Sequence, residues 1–313
     1  MPVVSVLLPV YNGADFLEEA ISSVLSQSFE DLQLIIRDDR STDQSREIMR
    51  KFADKRIIAV ENDANLGLFG NINACLALSS GEFVHLFSQD DIMHVNCLES
   101  QLDSLGKYKK AGMVYCGIRT IDENANVLSD SSQDGTPELI GRDLYLSLSA
   151  HYGSLPASIS TVMIRREVLD DVGIFNAQMK VAGDYELWNR IADRYPIVRN
   201  QKIVADVRAH KRQVTNASMS GLWYIKEDIG LMDWYRARLP SEDWAAVLGF
   251  RMRTRAVTYW AWILRQLLTG RIHPAVSGVF EMAKGYNPVS AFCYFCLSMN
   301  GRYLRPRPHI KGN

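Results

Sequence analysis

Four short apolar runs, each separated from the next by a stretch of helical periodicity, constrain this chain more than any other feature. Residues 3–10, 32–36, 57–60 and 83–87 are nearly continuous in apolar side chains, as expected of strands buried on both faces. Phe16, Leu17, Ala20, Ile21, Val24 and Leu25 recur at helical spacing after the first run. Ile48, Met49 and Phe52 share one face after the second, and residues 69–78 form a third helix closed by Gly81. A β-α-β-α-β-α-β order within the first 90 residues predicts an α/β fold with a mostly parallel sheet and crossover helices. At 313 residues, 47% hydrophobic and 23% charged, the chain can bury a large core and divide into one large domain plus an appendage.

In such sheets ligands bind at the C-terminal ends of the strands. Two of these runs end there in carboxylate pairs, Asp38-Asp39 and Ser88-Gln89-Asp90-Asp91. Adjacent carboxylates repel each other, so they favour a cation or a donor-rich ligand, and hard oxygens suit Mg²⁺ or Mn²⁺. One Asp-Asp turn capping a helix would look the same, but two in register at one edge favour a shared crevice. Asp15 with Glu18 and Ser41 with Gln44 read as capping boxes for the first two crossover helices. The first turn is Tyr11-Asn12-Gly13, so a dinucleotide fingerprint, a Lys-bearing phosphate loop and a receiver-type acidic pair are all missing from that position.

Further on, Cys97, Leu98, Gln101, Leu102 and Leu105 predict an amphipathic helix, and residues 113–118 a strand. Residues 122–138 read as a polar loop, 158–164 as a strand, and 166–172 as a helix stopped by Gly173. In the helix that follows, Leu187, Trp188 and Ile191 form a buried stripe and Asp184 lies at the start. Asp184 there is either an N-cap or a general base that the helix N-terminus keeps ionised. The strand around residue 204 ends in a basic cluster holding Arg208 and His210. This is a solvated loop, or a group for a diphosphate or a metal.

From about residue 223 only helices are predicted. Arg251, Arg253, Arg255, Arg265 and Arg271 lie among Tyr, Trp and Phe, and a basic tail (Arg302, Arg305, Arg307, Lys311) follows. That composition suits a helix lying on an anionic membrane surface, an ordinary packed appendage or a dimer contact. Cys293 and Cys296 lie in an apolar aromatic run without a second pair, which argues for packing or lipid contact rather than zinc. With no signal peptide and no spanning run, the chain is expected in the cytoplasm, or peripheral on the inner face of the cell membrane. A net charge of −1 argues against general nucleic-acid binding.

Taken together, the motifs resemble the inverting family 2 glycosyltransferases of GT-A fold over about residues 3–220. The resembling segments are residues 5–12, Asp38-Asp39-Arg40-Ser41-Thr42-Asp43, Asn65-Leu66-Gly67 with Asn71, Ser88-Gln89-Asp90-Asp91, Gly183-Asp184-Tyr185-Glu186-Leu187-Trp188 and Arg208-Ala209-His210. The resemblance implies a GT-A domain at 1–220 and a helical extension at 221–313 that touches membrane or dimerises. It implies a nucleotide-sugar donor, most simply a UDP-sugar, held by Pro9, Tyr11, Asn12, Asp38, Asp39, Asn65, Gly67, Asn71, Gln89, Asp90 and Arg208. It further implies Mn²⁺ or Mg²⁺ on Asp90, Asp91 and His210, Asp184 as catalytic base, and a glycan or lipid-linked acceptor in cell-surface polysaccharide or glycolipid synthesis. The family often has an acid where this chain has Ser88 and another where it has Gly183. Those departures keep open a non-catalytic glycan-binding or recruitment module on a decayed scaffold; a nucleotidyltransferase is the other competing class.

Overall fold

The computed structural model describes residues 1–131, 135–211, 213 and 220–299. Two compact units emerge: residues 1–145 with 154–211, and residues 146–153 with the described part of 212–313. The basic tail beginning at Arg302 lies outside the described residues.

The first unit begins as the apolar runs predict, with β1 (Val4–Val10), α1 (Leu17–Leu25), β2 (Leu32–Asp38), α2 (Ser45–Lys51), β3 (Ile57–Glu61), α3 (Leu68–Leu76) and β4 (Phe83–Leu86). β5 (Ile92–Met93), α4 (Cys97–Lys107), β6 (Met113–Ile121), β7 (Val127–Asp130), β8 (Leu139–Ile140) and α5 (Arg142–Tyr152) follow. After a 3₁₀ turn at Ile159–Thr161 come β9 (Val162–Arg165), α6 (Arg166–Val172), α7 (Gly183–Ala192) and β10 (Ile197–Arg208). One sheet runs β3-β2-β1-β4-β9-β6-β10-β5, with β7 on β6 and β8 on β10. The first four strands of that order are parallel. β9 enters antiparallel between β4 and β6, and β10 runs parallel to β6. Every residue of β1 is buried, as its unbroken apolar pattern demands.

Four local expectations give way to other bonds. α1 starts at Leu17 with Phe16 in the cap position and no side-chain cap, so Asp15 and Glu18 form no capping box. α2 starts at Ser45 and carries no side-chain cap, so Ser41 and Gln44 form none either. Instead the loops after β1 and β2 satisfy each other. Asn12 N donates to Ser41 Oγ, Gly13 N to Ser45 Oγ, and Ala14 N to Asp43 Oδ2, at 2.9, 2.9 and 3.0 Å. The polar segment read as a loop at 122–138 contains β7, which pairs with β6. Ser160 N donates to Ser158 Oγ, which turns the chain into the 3₁₀ segment, so the expected strand starts only at Val162.

The second unit is helical: α8 (Ser220–Gly230), α9 (Met232–Arg236), α10 (Ser241–Arg253), α11 (Arg255–Leu268), α12 (Ile272–Ala283) and α13 (Pro288–Met299). Its core encloses an ion pair. Arg251 is fully buried and donates to Asp228, to Tyr286 Oη at 2.9 Å and to Ala150 O at 3.2 Å. Burial opposes ionisation of Asp228, but Arg251 and then Arg255 hold its carboxyl below the ordinary range. Of the three readings left open for its helix, Arg251 fits the packed appendage. It lies inside because only a buried cation answers a buried carboxylate.

Candidate active site

The carboxylate pairs fall at the C-terminal ends of β2 and β4, with β1 between them. Asp39 is 2% exposed and its oxygens are taken by the loop that follows β3. Leu66 N (2.7 Å) and Asn62 Nδ2 (2.8 Å) donate to Oδ1, and Gly67 N (2.9 Å) donates to Oδ2. Gly67 then opens α3 at φ +74°, a left-handed conformation that favours glycine. Asn65 and Asn71, expected to touch the donor, bond to the backbone of the β2 end. Asn65 Nδ2 donates to Asp39 O and Asn71 Nδ2 to Arg37 O. Asp38 differs from its neighbour. Its Oδ1 accepts from Ser41 N (2.9 Å) and Arg46 Nε (3.0 Å), while its buried Oδ2 has no hydrogen-bond partner among the described residues.

At the β4 end the same asymmetry recurs. Asp91 was expected on the metal, but it turns its carboxylate into the protein. Ser160 Oγ reaches Oδ2 at 2.5 Å and Arg208 N reaches Oδ1 at 3.0 Å. Burial first, and the charge of Asp90 second, push its carboxyl up to about 8. Asp90 Oδ2 meets His210 Nε2 at 2.8 Å, and both side chains keep some exposure. Oxygen and imidazole donors from two separate strand ends thus converge on one point. Among the described residues no three His, Cys, Asp or Glu side chains gather closely enough to hold a metal by themselves. A carboxylate and an imidazole still fit a Mg²⁺ or Mn²⁺ ion that takes its other ligands from substrate phosphates and water.

Arg208, expected on a diphosphate, is 2% exposed and bound within the protein. Its guanidinium donates to the carbonyls of Asp90, Asp122 and Glu123 and to Glu19 Oε2, and it lies 4.4 Å from the Phe16 ring centroid. It therefore braces the acidic loop from behind. Gln89 links strand ends: Tyr11 N donates to its Oε1 at 2.8 Å, and its Nε2 donates to Tyr11 O at 3.0 Å. Pro9 is buried in β1 opposite Arg37, Tyr11 is half exposed, and Asn12 Oδ1 accepts from Thr42 N.

Asp184 occupies the first turn of α7, and Ala182 at the cap position makes no side-chain cap. Aromatic packing surrounds this helix start. Phe69 of α3 stacks on Phe175 at 5.6 Å, and Phe175 meets the Trp188 edge at 6.0 Å. Asn73 fixes the Phe175 backbone by accepting from its N and donating to its O. A Cβ on Gly183 would lie 2.7 Å from the Phe69 ring, so any larger residue there would have to displace that ring. Asp39 fixes the loop leading into α3, the helix whose Phe69 lies against Gly183. Tyr145 was not foreseen: its hydroxyl is buried without a hydrogen-bond partner among the described residues. Burial first, and the Tyr115, Tyr185 and Asp184 charges after it, push its phenol up. Ser158, Ser160 and Glu19 were also missed, because each acts through a contact with a residue far along the chain.

The family profile described as Glycosyl transferase family 2 matches residues 5–173. Uncharacterized glycosyltransferase RP339 of Rickettsia prowazekii (strain Madrid E) is 27% identical over 249 residues, 79% of this chain and 76% of that protein. Among solved structures, S. aureus TarS 1-349 in complex with UDP-GlcNAc matches with a TM-score of 0.63 at 17% identity, covering 96% of this chain and 93% of that one. Mannosyltransferase PcManGT from Pyrobaculum calidifontis, in complex with GDP-Man and Mn²⁺, matches with a TM-score of 0.59 at 18% identity, covering 96% and 81%.

Proposed function

The chain belongs to glycosyl transferase family 2 and has the GT-A fold, and on that premise we propose that it is an inverting, metal-dependent transferase acting on a nucleotide-diphosphate sugar, most simply a UDP-sugar. The acceptor is a hydroxyl of a glycan or lipid-linked acceptor in cell-surface polysaccharide or glycolipid synthesis. The observation that carries this reading is the 2.8 Å meeting of Asp90 with His210 at the sheet's C-terminal edge. Asp90 and His210 would hold Mg²⁺ or Mn²⁺, and such an ion supplies charge neutralisation for a leaving nucleoside diphosphate. Donor complexes of the structural neighbours, with UDP-GlcNAc in one and GDP-Man and Mn²⁺ in the other, support the donor class.

The chain's own residues divide the remaining work. Asp38 offers its unpartnered Oδ2 to an N–H of the nucleotide base. Asp39 holds the loop beside that position, and Arg208 and Asp91 keep the Asp90 loop rigid. Asp184 takes the proton of the acceptor hydroxyl, which attacks the anomeric carbon opposite the leaving group. One such displacement inverts the configuration.

A thermal-shift screen of nucleotide-sugars with and without Mn²⁺, followed by transfer assays on wild type and Asp184→Asn, tests the proposal. One nucleotide should stabilise the protein by about 2.7 kcal/mol at a hundredfold excess over its Kd, and only with metal present. Asp184→Asn should bind the same donor yet transfer roughly 10²–10⁴-fold more slowly. No stabilisation by any nucleotide-sugar would favour the decayed scaffold, and near-native turnover by the variant would remove Asp184 as base.

A further inference from the structure

Successive helices of the second unit each bury one side and leave the other apolar side uncovered. On α12, Ala275, Gly278 and Met282 are buried, and a Cβ on Gly278 would lie 3.0 Å from Trp262 and Ile263 of α11. Ile272, Val276 and Phe280, spaced at four residues on the open side, are 66, 46 and 69% exposed. On α13, Ala291 is buried while Val289 and Phe292 are 73 and 40% exposed, and the free thiols of Cys293 and Cys296 are exposed as well. Leu268, at the end of α11, is 88% exposed. Aromatics that the sequence placed on such a surface are partly internal instead: Trp260 Nε1 donates to Pro288 O, and Trp262 packs on Gly278.

Cationic side chains accompany this face. Arg265 and Arg271 are exposed, and so is Lys284, which bonds Glu281 at 2.7 Å. From residue 252 to residue 299 the sequence carries five Lys and Arg residues against one acid, Glu281, although the whole chain has a net charge of −1. We propose that the open face of α12 and α13, with the end of α11, is the surface on which this protein lies against an anionic lipid bilayer. The apolar side chains would enter the acyl boundary and the cations would meet lipid phosphates. With 14, 12 and 12 residues, α11, α12 and α13 fall short of the roughly 20 that a span requires, so the face lies along the surface. A second copy is the poorer occupant, because a two-fold contact here would set like charges against each other. This inference does not depend on the transferase reading.

Co-sedimentation of the full chain with phosphatidylcholine vesicles, and with vesicles also containing phosphatidylglycerol, tests it. Wild type should bind the anionic vesicles at least about tenfold more tightly, and binding should weaken as salt rises. Val276→Ser with Phe280→Ser should lose about tenfold or more of that binding at an unchanged Tm, since both side chains are exposed. Arg265→Glu with Arg271→Glu should lose at least as much through charge, about fivefold for each cation removed. Failure of wild type to bind either vesicle, equal binding to both, or full binding by both variants would overturn the proposal. So would a concentration-dependent dimer, without vesicles, that the Val276/Phe280 variant abolishes.

Discussion

The ends of β2 and β4 carry the same residue pair and use it in the same divided way. In each pair the second carboxylate, Asp39 or Asp91, is surrounded by protein donors and fixes a loop. The first, Asp38 or Asp90, keeps capacity for something else. Exposure separates the two ends: Asp38 and Asp39 are both buried, whereas at the β4 end Asp91 is buried and Asp90 keeps some exposure. The two ends also differ in what the first carboxylate has left over. Asp38 presents a lone buried oxygen, which suits a single N–H donor, whereas Asp90 faces an imidazole, which suits a cation. In both doublets, then, the second carboxylate is structural, and on the proposed function the first is the one left for a ligand.

Substitution at the β4 end should break the comparison most visibly. Asp90→Asn is expected to slow transfer by roughly 10²–10³-fold with Tm nearly unchanged. Asp91→Asn, which mimics a carboxyl already pushed up to about 8, should keep turnover within about tenfold. Steady-state kinetics on both would settle the assignment, and equal losses would mean that both carboxylates act on the ligand. At the β2 end the signs should swap between stability and binding. Asp39→Ala leaves Leu66 N without its acceptor and Gly67 N and Asn62 Nδ2 with only their second ones, Asn65 Oδ1 and Asn71 Oδ1, and should cost about 1–3 kcal/mol in urea unfolding. Asp38→Asn should cost about 1 kcal/mol and weaken nucleotide affinity instead. The last test concerns the packing of Phe69 against the start of α7. Gly183→Ala should cost about 1–3 kcal/mol by pressing on Phe69, and Phe69→Leu in the same chain should recover most of it. If the Ala variant is as stable as wild type, the Phe69 ring is not what excludes a larger residue there.

Much of the first unit was legible because its signals are local. Apolar runs of strand length and helical repeats between them place β1 to β4 and their crossovers, and Gly173 stops α6 at Val172 as its position predicted. The capping boxes failed for a physical reason. Asp15 and Ser41 have suitable neighbours in sequence, yet the β1 and β2 loops lie close enough to bond each other, and Asp43 serves as the shared acceptor. The roles of Arg208 and Arg251 were equally hidden. An arginine reads as a surface cation until the fold places a carbonyl loop or a buried carboxylate around it.

By itself the sequence determined the α/β class, the strand ends at which chemistry gathers, and the residue types there. These depend on periodicity and on where polar residues interrupt it. Tertiary structure alone decided which carboxylate of each doublet is taken up by loop donors, that Asp91 points away from the Asp90–His210 pair expected with it, that the Phe69 ring crowds Gly183, and which helical faces remain uncovered. Each of those outcomes depends on contacts between residues tens of positions apart, and a linear pattern carries no distance across them.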